Sequence, residues 1–197
     1  MSVKHVTGQG TFAGDLRLPG LLHLRVVRSP YAHARVLRID ASAARALPGV
    51  AAILTHEDPT RSVPAGPAAG GRRPLEGVVR FVGDRVAVVA AEDPELAQRA
   101  ADVVRVEYEQ REAVLDPEQA LRPGAPAVHA RSDGAAANLA ARLELAVGDV
   151  EGALAAAERV LEATYRVPAV PASPLEPHLA ITWLDEDRRL VVRTSTE

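Results

Sequence analysis

The chain has 197 residues, of which 47% are hydrophobic and 25% charged, and its formal net charge is −3 at pH 7. This composition is that of a globular protein rather than a disordered chain, and the small net charge favours neither nucleic acid nor an anionic membrane as partner. The sequence contains no cysteine, which excludes disulfides, thiolate zinc sites and cysteine-held iron–sulfur clusters within it. It has no apolar run long enough for a membrane span or a secretory signal, so we expect a cytoplasmic protein.

The first third of the chain predicts strands around one short helix, which is an α+β arrangement. Asp40 precedes a helix predicted over residues 41–47, and Pro48-Gly49 ends that helix. Runs rich in β-branched residues, with partial alternation, predict the strands. These strands cover residues 21–28, 34–39 and 50–55.

The middle third repeats this theme after a loop rich in proline and glycine at residues 59–74. Gly83-Asp84 separates two β-rich runs and therefore predicts a tight β-hairpin. Asp93-Pro94 predicts the start of a helix, because aspartate caps helices and proline is favoured at the first helical position. The strands predicted here are residues 78–82, 85–91 and 105–109.

The last third begins with a helical turn predicted at residues 118–122 and a connector predicted at residues 123–138, which are rich in proline, glycine and alanine. Asp149 is placed to cap a helix that runs to about residue 157. Because a strand stands at the very end of the sequence, we expect the second sheet to be unfinished. The strands predicted in this part are residues 160–167, 178–184 and 189–194.

No set of side chains in the sequence forms a self-contained catalytic or metal site. The histidines lack the helical spacing of zinc ligands, and the paired acidic residues stand at turns and helix starts, where capping explains them. The sequence has no glycine-rich phosphate loop and no nucleophilic serine elbow. We therefore predict no catalytic residue and no metal ligand. The histidines are His5, His23, His33, His56, His129 and His178.

Seven motifs, taken in chain order, resemble those of one family, the molybdenum hydroxylases. This family contains xanthine dehydrogenases, aldehyde oxidases, carbon monoxide dehydrogenases and hydroxybenzoyl-CoA reductases. One departure is Arg85, which stands where the family usually has proline. The motifs are residues 10–23 (GTFAGDLRLPGLLH), 28–36 (RSPYAHARV), 47–50 (LPGV), 80–87 (RFVGDRVA), 106–109 (VEYE), 148–150 (GDV) and 175–178 (LEPH).

The resemblance implies an α/β hammerhead domain at residues 7–115, a connector at 116–147 and the truncated start of a molybdopterin-binding domain at 148–197. The chain would then be the N-terminal portion of a molybdenum-cofactor-binding subunit, inactive alone. The complete enzyme would hydroxylate a substrate carbon with water-derived oxygen. The alternative is a stand-alone, non-catalytic hammerhead module that binds a partner subunit or aids assembly.

The resemblance also implies which groups the complete enzyme would need. Molybdopterin cytosine dinucleotide would be its cofactor, whereas the chain alone would bind none, because the cofactor loops and the catalytic glutamate of the family lie beyond Glu197. Glu197 itself stands at the place of the family's molybdenum-facing glutamine. The implied partners are the remainder of the molybdenum subunit and the iron–sulfur and flavin subunits or domains. We also expect an exposed apolar patch between Val160 and Val192, where that remainder would pack.

Overall fold

Two three-stranded antiparallel sheets form the framework of residues 20–144, which make up one of two compact units; residues 1–19 and 145–197 make up the other. The computed structural model describes residues 3–58, 74–129, 138–139 and 141–195. The described strands are β1 (His23–Arg28), β2 (Ala34–Asp40), β3 (Val50–Thr55), β4 (Val78–Val79), β5 (Arg85–Ala91), β6 (Arg105–Gln110), β7 (Ala180–Leu184) and β8 (Leu190–Thr194). The described helices are α1 (Val3–Val6), α2 (Ser42–Arg45), α3 (Pro94–Asp102), α4 (Pro117–Ala120) and α5 (Val150–Ala156), and a 3-10 turn covers Ala13–Asp15.

Strand β5 lies at the centre of the unit formed by residues 20–144. It pairs with β1 on one side and β3 on the other, both antiparallel, while β2 holds the second sheet together between β4 and β6. Val86 and Val89 of β5 are fully buried, and Val89 packs in one core cluster with residues of α2, α3 and β3. The described core is built from alanine, valine, isoleucine and leucine rather than aromatic residues, in keeping with the low aromatic content.

Helix α3 forms as the sequence predicts. The Asp93 carboxylate accepts a hydrogen bond from the Leu96 amide at 2.8 Å, and Pro94 occupies the first turn. Both features favour this helix start, since the side chain satisfies an amide that has no partner within the helix. The buried face of the helix includes Leu96, Ala97 and Ala100.

Gly49 explains why the chain can reverse between α2 and β3. Its φ is +88°, a backbone conformation that favours glycine, and its carbonyl accepts the Glu92 amide at 3.1 Å. A Cβ at this position would lie 2.7 Å from the Cδ2 atom of Leu96, which is itself buried. The glycine in the LPGV motif is therefore required by the fold.

Opposite charges face each other across the paired strands β2 and β6. Three facing pairs each join an arginine to an acidic residue, although the register shifts between Val36 and Arg38. Opposite charges directly across two strands stabilise their register, and each exposed pair contributes roughly 0.2–1 kcal/mol. The pairs are Arg35 with Glu109, Arg38 with Glu107, and Asp40 with Arg105.

The hairpin predicted at Gly83-Asp84 is wrong. Strand β4 pairs with β2 and strand β5 pairs with β1 and β3, so the turn carries the chain from one sheet to the other. The carboxylate of Asp84 stabilises the turn by accepting the amides of Arg80 and Arg85, at 3.0 and 2.9 Å. The physical reason for the change of sheet is a remote contact of the same residue. Its carbonyl meanwhile accepts the Ser29 amide. The loop predicted at residues 59–74 lies outside the described residues, except for Pro74.

The unit that contains residues 145–197 has few regular elements. Asp149 caps α5 by accepting the Gly152 amide at 2.9 Å, as the sequence predicts. Strands β7 and β8 form an antiparallel hairpin around Asp185, whose carboxylate accepts the amides of Asp187 and Arg189. This confirms the last two predicted strands and their reversal.

The strand predicted at residues 160–167 is wrong for this structure: those residues have no regular secondary structure. A strand needs a neighbour for its backbone groups, and none of the described sheets includes these residues. Across residues 141–195 the only buried residue is Ile181. The apolar exposure expected between Val160 and Val192 is confirmed, with Leu161 99% exposed and Leu175 96% exposed.

Candidate functional site

Two of the motifs meet the end of β8 within the unit that contains residues 145–197. We call this set the motif junction: the turn Phe12–Asp15, residues 176–179, and Thr194-Ser195. The Ser195 hydroxyl donates to the Pro177 carbonyl at 2.9 Å and accepts the Leu179 amide at 3.0 Å. The Thr194 hydroxyl donates to the Leu179 carbonyl at 2.9 Å. These bonds fix the end of β8 against the LEPH motif.

Glu176 connects the junction to the first motif. One of its carboxylate oxygens accepts the amide of Ala13 at 2.9 Å, although 163 positions separate the two residues in the chain. Asp15 completes the turn by accepting the Phe12 amide at 2.9 Å. A hydrogen bond from an amide to a charged carboxylate is stronger than one between neutral groups. The junction thus holds two distant parts of the sequence together through Glu176.

Glu197, the one site residue predicted from the sequence, lies outside the described residues. The junction fixes the backbone two residues before it, because the Ser195 amide donates to the Leu179 carbonyl at 3.1 Å. His178, next to Leu179, is exposed. The interpretation of Glu197 as a cofactor-facing residue remains a prediction.

A second cluster joins the RSPYAHARV motif to the RFVGDRVA and VEYE motifs within residues 20–144. The buried Ser29 donates its hydroxyl to the Tyr31 carbonyl and accepts the Tyr31 amide, at 3.1 and 3.0 Å. The backbone of Ser29 also exchanges two hydrogen bonds of 2.8 Å with Gly83 and Asp84. The serine is therefore a structural residue that holds two loops together.

Tyr108 and Tyr31 cover this cluster with their rings, which meet edge to face at 5.2 Å. Burial raises the pKa of Tyr108, while its hydrogen bond to the Ser29 side chain opposes the rise. His33 is buried and its Nδ1 lies 2.7 Å from the carbonyl of Glu112. His33 is therefore a hydrogen-bonded residue of this cluster.

Arg85, the departure from the family motif, has a clear place in the structure. Its amide donates to the Asp84 carboxylate at 2.9 Å, a bond that the family's usual proline could not make because proline has no N–H.

One residue that the sequence did not single out is His56. Its Nδ1 is buried and has no hydrogen-bond partner among the described residues, and its ring lies against Gly77. No sequence signal separates His56 from the other histidines.

Two family models match this chain. The model described as the aldehyde oxidase and xanthine dehydrogenase a/b hammerhead domain matches residues 7–112, and that of the molybdopterin cofactor-binding domain matches residues 131–197. The chain belongs to the molybdenum hydroxylase family. The order of the two models is the order that the motifs predict, which confirms both the family and the α+β hammerhead fold class.

Curated members of the family are similar to the chain over almost all of its length. It is 37% identical to the 6-hydroxypseudooxynicotine dehydrogenase complex subunit gamma of Paenarthrobacter nicotinovorans, over 93% of the chain and 24% of that protein. It is 30% identical to the xanthine dehydrogenase molybdenum-binding subunit of Escherichia coli O157:H7, over 100% of the chain and 27% of that protein. The chain therefore spans about a quarter of the length of these two relatives.

Solved structures of the family agree with the fold. The quinoline 2-oxidoreductase from Pseudomonas putida 86 matches with a TM-score of 0.81 and 30% identity, over 98% of this chain and 25% of that one. The aldehyde oxidoreductase from Desulfovibrio gigas matches with a TM-score of 0.78 and 25% identity, over 98% of this chain and 22% of that one. In the described part of the chain no helix is long and apolar enough to cross a membrane.

The described residues form no metal site of their own. Among them no three His, Asp or Glu side chains come together to hold a metal ion. The amides of Ala13 and Leu179 in the motif junction already donate to Glu176 and Ser195, so they do not offer an anion-binding cradle. We therefore derive no step of a molybdenum reaction from these residues.

Proposed function

We propose that these 197 residues supply the hammerhead domain and the first part of the molybdopterin-binding domain of a molybdenum-cofactor-binding subunit. The complete enzyme would be an oxidoreductase that hydroxylates a substrate carbon with water-derived oxygen. One observation carries this proposal: across residues 141–195 only Ile181 is buried, although the molybdopterin-domain model matches residues 131–197. That domain needs further polypeptide to build its core.

The expected folding stabilities of the two regions support this assignment. A two-stranded hairpin such as β7–β8 is at best marginally stable by itself, whereas two packed sheets with a helix can fold independently. Burial of apolar surface is the main stabilising term, at about 25 cal/mol per Å², and Ile181 is the only buried residue of residues 141–195. We propose that residues 7–115 are the folded hammerhead, 116–147 a connector, and 148–197 the start of the cofactor domain.

The cofactor and partners follow from this assignment. We propose that molybdopterin cytosine dinucleotide binds to the polypeptide that completes the cofactor domain, and that Glu197 faces the metal there. The relatives include a protein named as part of a dehydrogenase complex and one named a large molybdopterin subunit, from Eubacterium barkeri. These names support a multi-subunit assembly, and we propose iron–sulfur and flavin subunits or domains as its other members. The 197 residues alone would then bind no cofactor and catalyse no hydroxylation.

Metal analysis tests this proposal directly. The chain would be expressed alone and together with the proteins encoded beside it, and molybdenum would be measured in each purified sample. We expect stoichiometric molybdenum in the co-purified assembly and none in the isolated chain. Molybdenum retained by the isolated chain, or an assembly that contains this chain without molybdenum, would contradict the proposal. The second result would favour the stand-alone assembly module.

Dye binding gives an independent measure of the unfinished domain. The isolated chain should bind a hydrophobic dye through the side chains exposed between Val160 and Val192, whereas the assembly should not. Circular dichroism at matched concentrations would serve as a control for the hammerhead fold. An isolated chain that is folded and binds no dye would count against the unfinished domain.

A further inference from the structure

Two arginines face each other at one end of the sheet that contains β5. Arg28 ends β1 and Arg85 begins β5, and the two residues are direct partners in the antiparallel register. Both are exposed. Neither forms an ion pair with any residue that the structure describes. Because like charges directly opposite each other destabilise a strand pair, this arrangement calls for a countercharge from outside the described chain.

A β-bulge creates the facing pair. The register of β1 against β5 shifts just before Arg28, which therefore pairs with Arg85 and not with Val86. Val86 becomes the extra residue of β5 and is fully buried. Bulges are known to redirect side chains beside functional sites. Here the bulge keeps an apolar residue in the core and brings a second positive charge next to the first.

The arginines are held in place before any partner binds. The Arg28 guanidinium donates from Nη1 to the Gly83 carbonyl at 2.8 Å, and its other N–H groups can donate elsewhere. The backbone of Arg85 is fixed by its amide bond to Asp84. The Asp84 carboxylate is buried and also accepts the Arg80 amide, so it serves the backbone of the turn. Groups that are fixed in advance lose less freedom when a ligand binds.

The chemistry of the pair fits a carboxylate on a protein surface. A guanidinium binds a carboxylate through two parallel hydrogen bonds, and one carboxylate between two arginines would offset their repulsion. Phe81 and Val82 precede Gly83 in the same turn and are 46% and 67% exposed. A small anion would leave these apolar side chains in water, whereas a protein would cover them. Arginine and aromatic residues are enriched in protein interfaces.

We propose that Arg28 and Arg85 together bind an aspartate or glutamate side chain of a subunit other than the molybdenum subunit, and that Phe81 and Val82 lie against that subunit. The inference rests on the proposed function, which supplies the multi-subunit assembly. It adds the surface of the hammerhead that binds the other subunit and the class of residue that is bound. The family's usual proline at position 85 carries no charge, so the second arginine is a feature of this chain.

The scarcity of lysine makes a cross-linking test specific. Lys4 is the only lysine in the sequence, and carbodiimide joins an amine to a carboxylate that is in contact with it. The chain carrying Arg85→Lys would be co-purified with the proteins encoded beside it and treated with carbodiimide. We expect mass spectrometry to find position 85 joined to an acidic residue of another subunit. Arg25→Lys is the control, because Arg25 is also exposed on β1 but faces Val89; it should give no such product.

Other cross-linking results would overturn the inference. These are coupling of position 85 to a second copy of this chain, coupling only within the molybdenum subunit, and no coupling in an assembly that forms. Equal coupling from position 25 would also overturn it, because the acidic residue would then not be specific for the facing pair.

Charge reversal separates binding from folding. Arg85→Glu should weaken the binding of the other subunit by about 30-fold or more, because it places two carboxylates together, whereas Arg25→Glu should change it by less than about twofold. Analytical ultracentrifugation of the diluted assembly measures both. Arg85→Glu should not lower the stability of the isolated chain in denaturant, since it turns a repulsive cross-strand pair into an attractive one. Equal affinities of the two variants for the other subunit would contradict the inference.

Molybdenum content distinguishes the failure of this inference from the failure of the proposed function. An assembly that holds molybdenum but gives no coupling from position 85 contradicts the inference alone. An assembly that gives the expected coupling but holds no molybdenum contradicts the proposed function alone.

Discussion

Strands β5 and β7 are both apolar, yet their environments differ. β5 has two strand neighbours and a helix packed near it, and Val86, Ala87 and Val89 are fully buried. β7 has one neighbour, and Ile181 is its only buried residue. The comparison teaches that an apolar strand becomes core only when the rest of the domain supplies covering layers. The hammerhead supplies them within residues 20–144, and the cofactor domain does not within residues 141–195.

The largest expected effect comes from a truncation in the covered region. Val89→Ala should lower the free energy of unfolding of the isolated chain by about 2–4 kcal/mol, because it removes buried methyl groups and leaves a cavity. The matched truncation Leu161→Ala should change it by less than about 0.5 kcal/mol, because that side chain is exposed. Denaturant unfolding measures both. Similar losses of unfolding free energy for the two variants would contradict the difference between the covered and the uncovered region.

Gly49→Ala should destabilise the hammerhead by about 2 kcal/mol. The positive φ disfavours any side chain, and the added methyl would press on the buried Leu96. Gly83→Ala is a useful control, because Gly83 also has positive φ but no atom within 4 Å of its added Cβ. Denaturant unfolding should show the larger loss for Gly49→Ala; a larger loss for Gly83→Ala would contradict the role of close packing.

Arg188→Gly should stabilise the β7–β8 turn by about 1 kcal/mol, since Arg188 has φ of 61° and glycine adopts that conformation without strain. The expected result is slower hydrogen exchange of the Asp185 amide, which donates to the Arg189 carbonyl across the turn. Glu186→Gly, at a neighbouring position of the same turn, should not slow that exchange. If both glycines slow it equally, backbone strain at Arg188 is not the cause.

The smallest effect concerns Asp40, whose pKa is held below its ordinary value mainly by its hydrogen bonds to Ser42. A carboxyl with a lowered folded pKa contributes stability that is present above its unfolded pKa and is lost as the pH falls through the folded pKa. Ser42→Ala should therefore raise the pKa of Asp40 and reduce the loss of folding stability at acid pH. An NMR titration of the Asp40 carboxyl measures the shift, and Arg38→Gln should move it less.

Local signals made much of the hammerhead predictable. Asp93-Pro94 indicated helix α3, because the cap bond joins Asp93 to Leu96 only three positions away. Pro48-Gly49 indicated the turn into β3, because glycine adopts the positive φ found there. The hairpin at Gly83-Asp84 failed because Asp84 bonds to Ser29, which is remote in the chain. The α2 prediction was slightly too long, since the helix covers Ser42–Arg45.

The candidate site was less predictable for a similar reason. The motifs indicated the family, but nothing in their spacing shows that Glu176 accepts the Ala13 amide or that Ser195 bonds to Pro177 and Leu179. Such bonds depend on how distant segments pack. The strand predicted at residues 160–167 shows the opposite case, in which the local pattern is correct for a strand but no described strand pairs with it.

Hydrogen exchange of the isolated 197-residue chain, compared strand by strand, tests the central claim most directly. If residues 145–195 lack a core of their own, the amides of β7 and β8 should exchange about 1000-fold faster than those of β5, whose opening requires global unfolding. Protection of β7 and β8 equal to that of β5 would contradict the claim, because it would require a stable core around the hairpin without any further polypeptide.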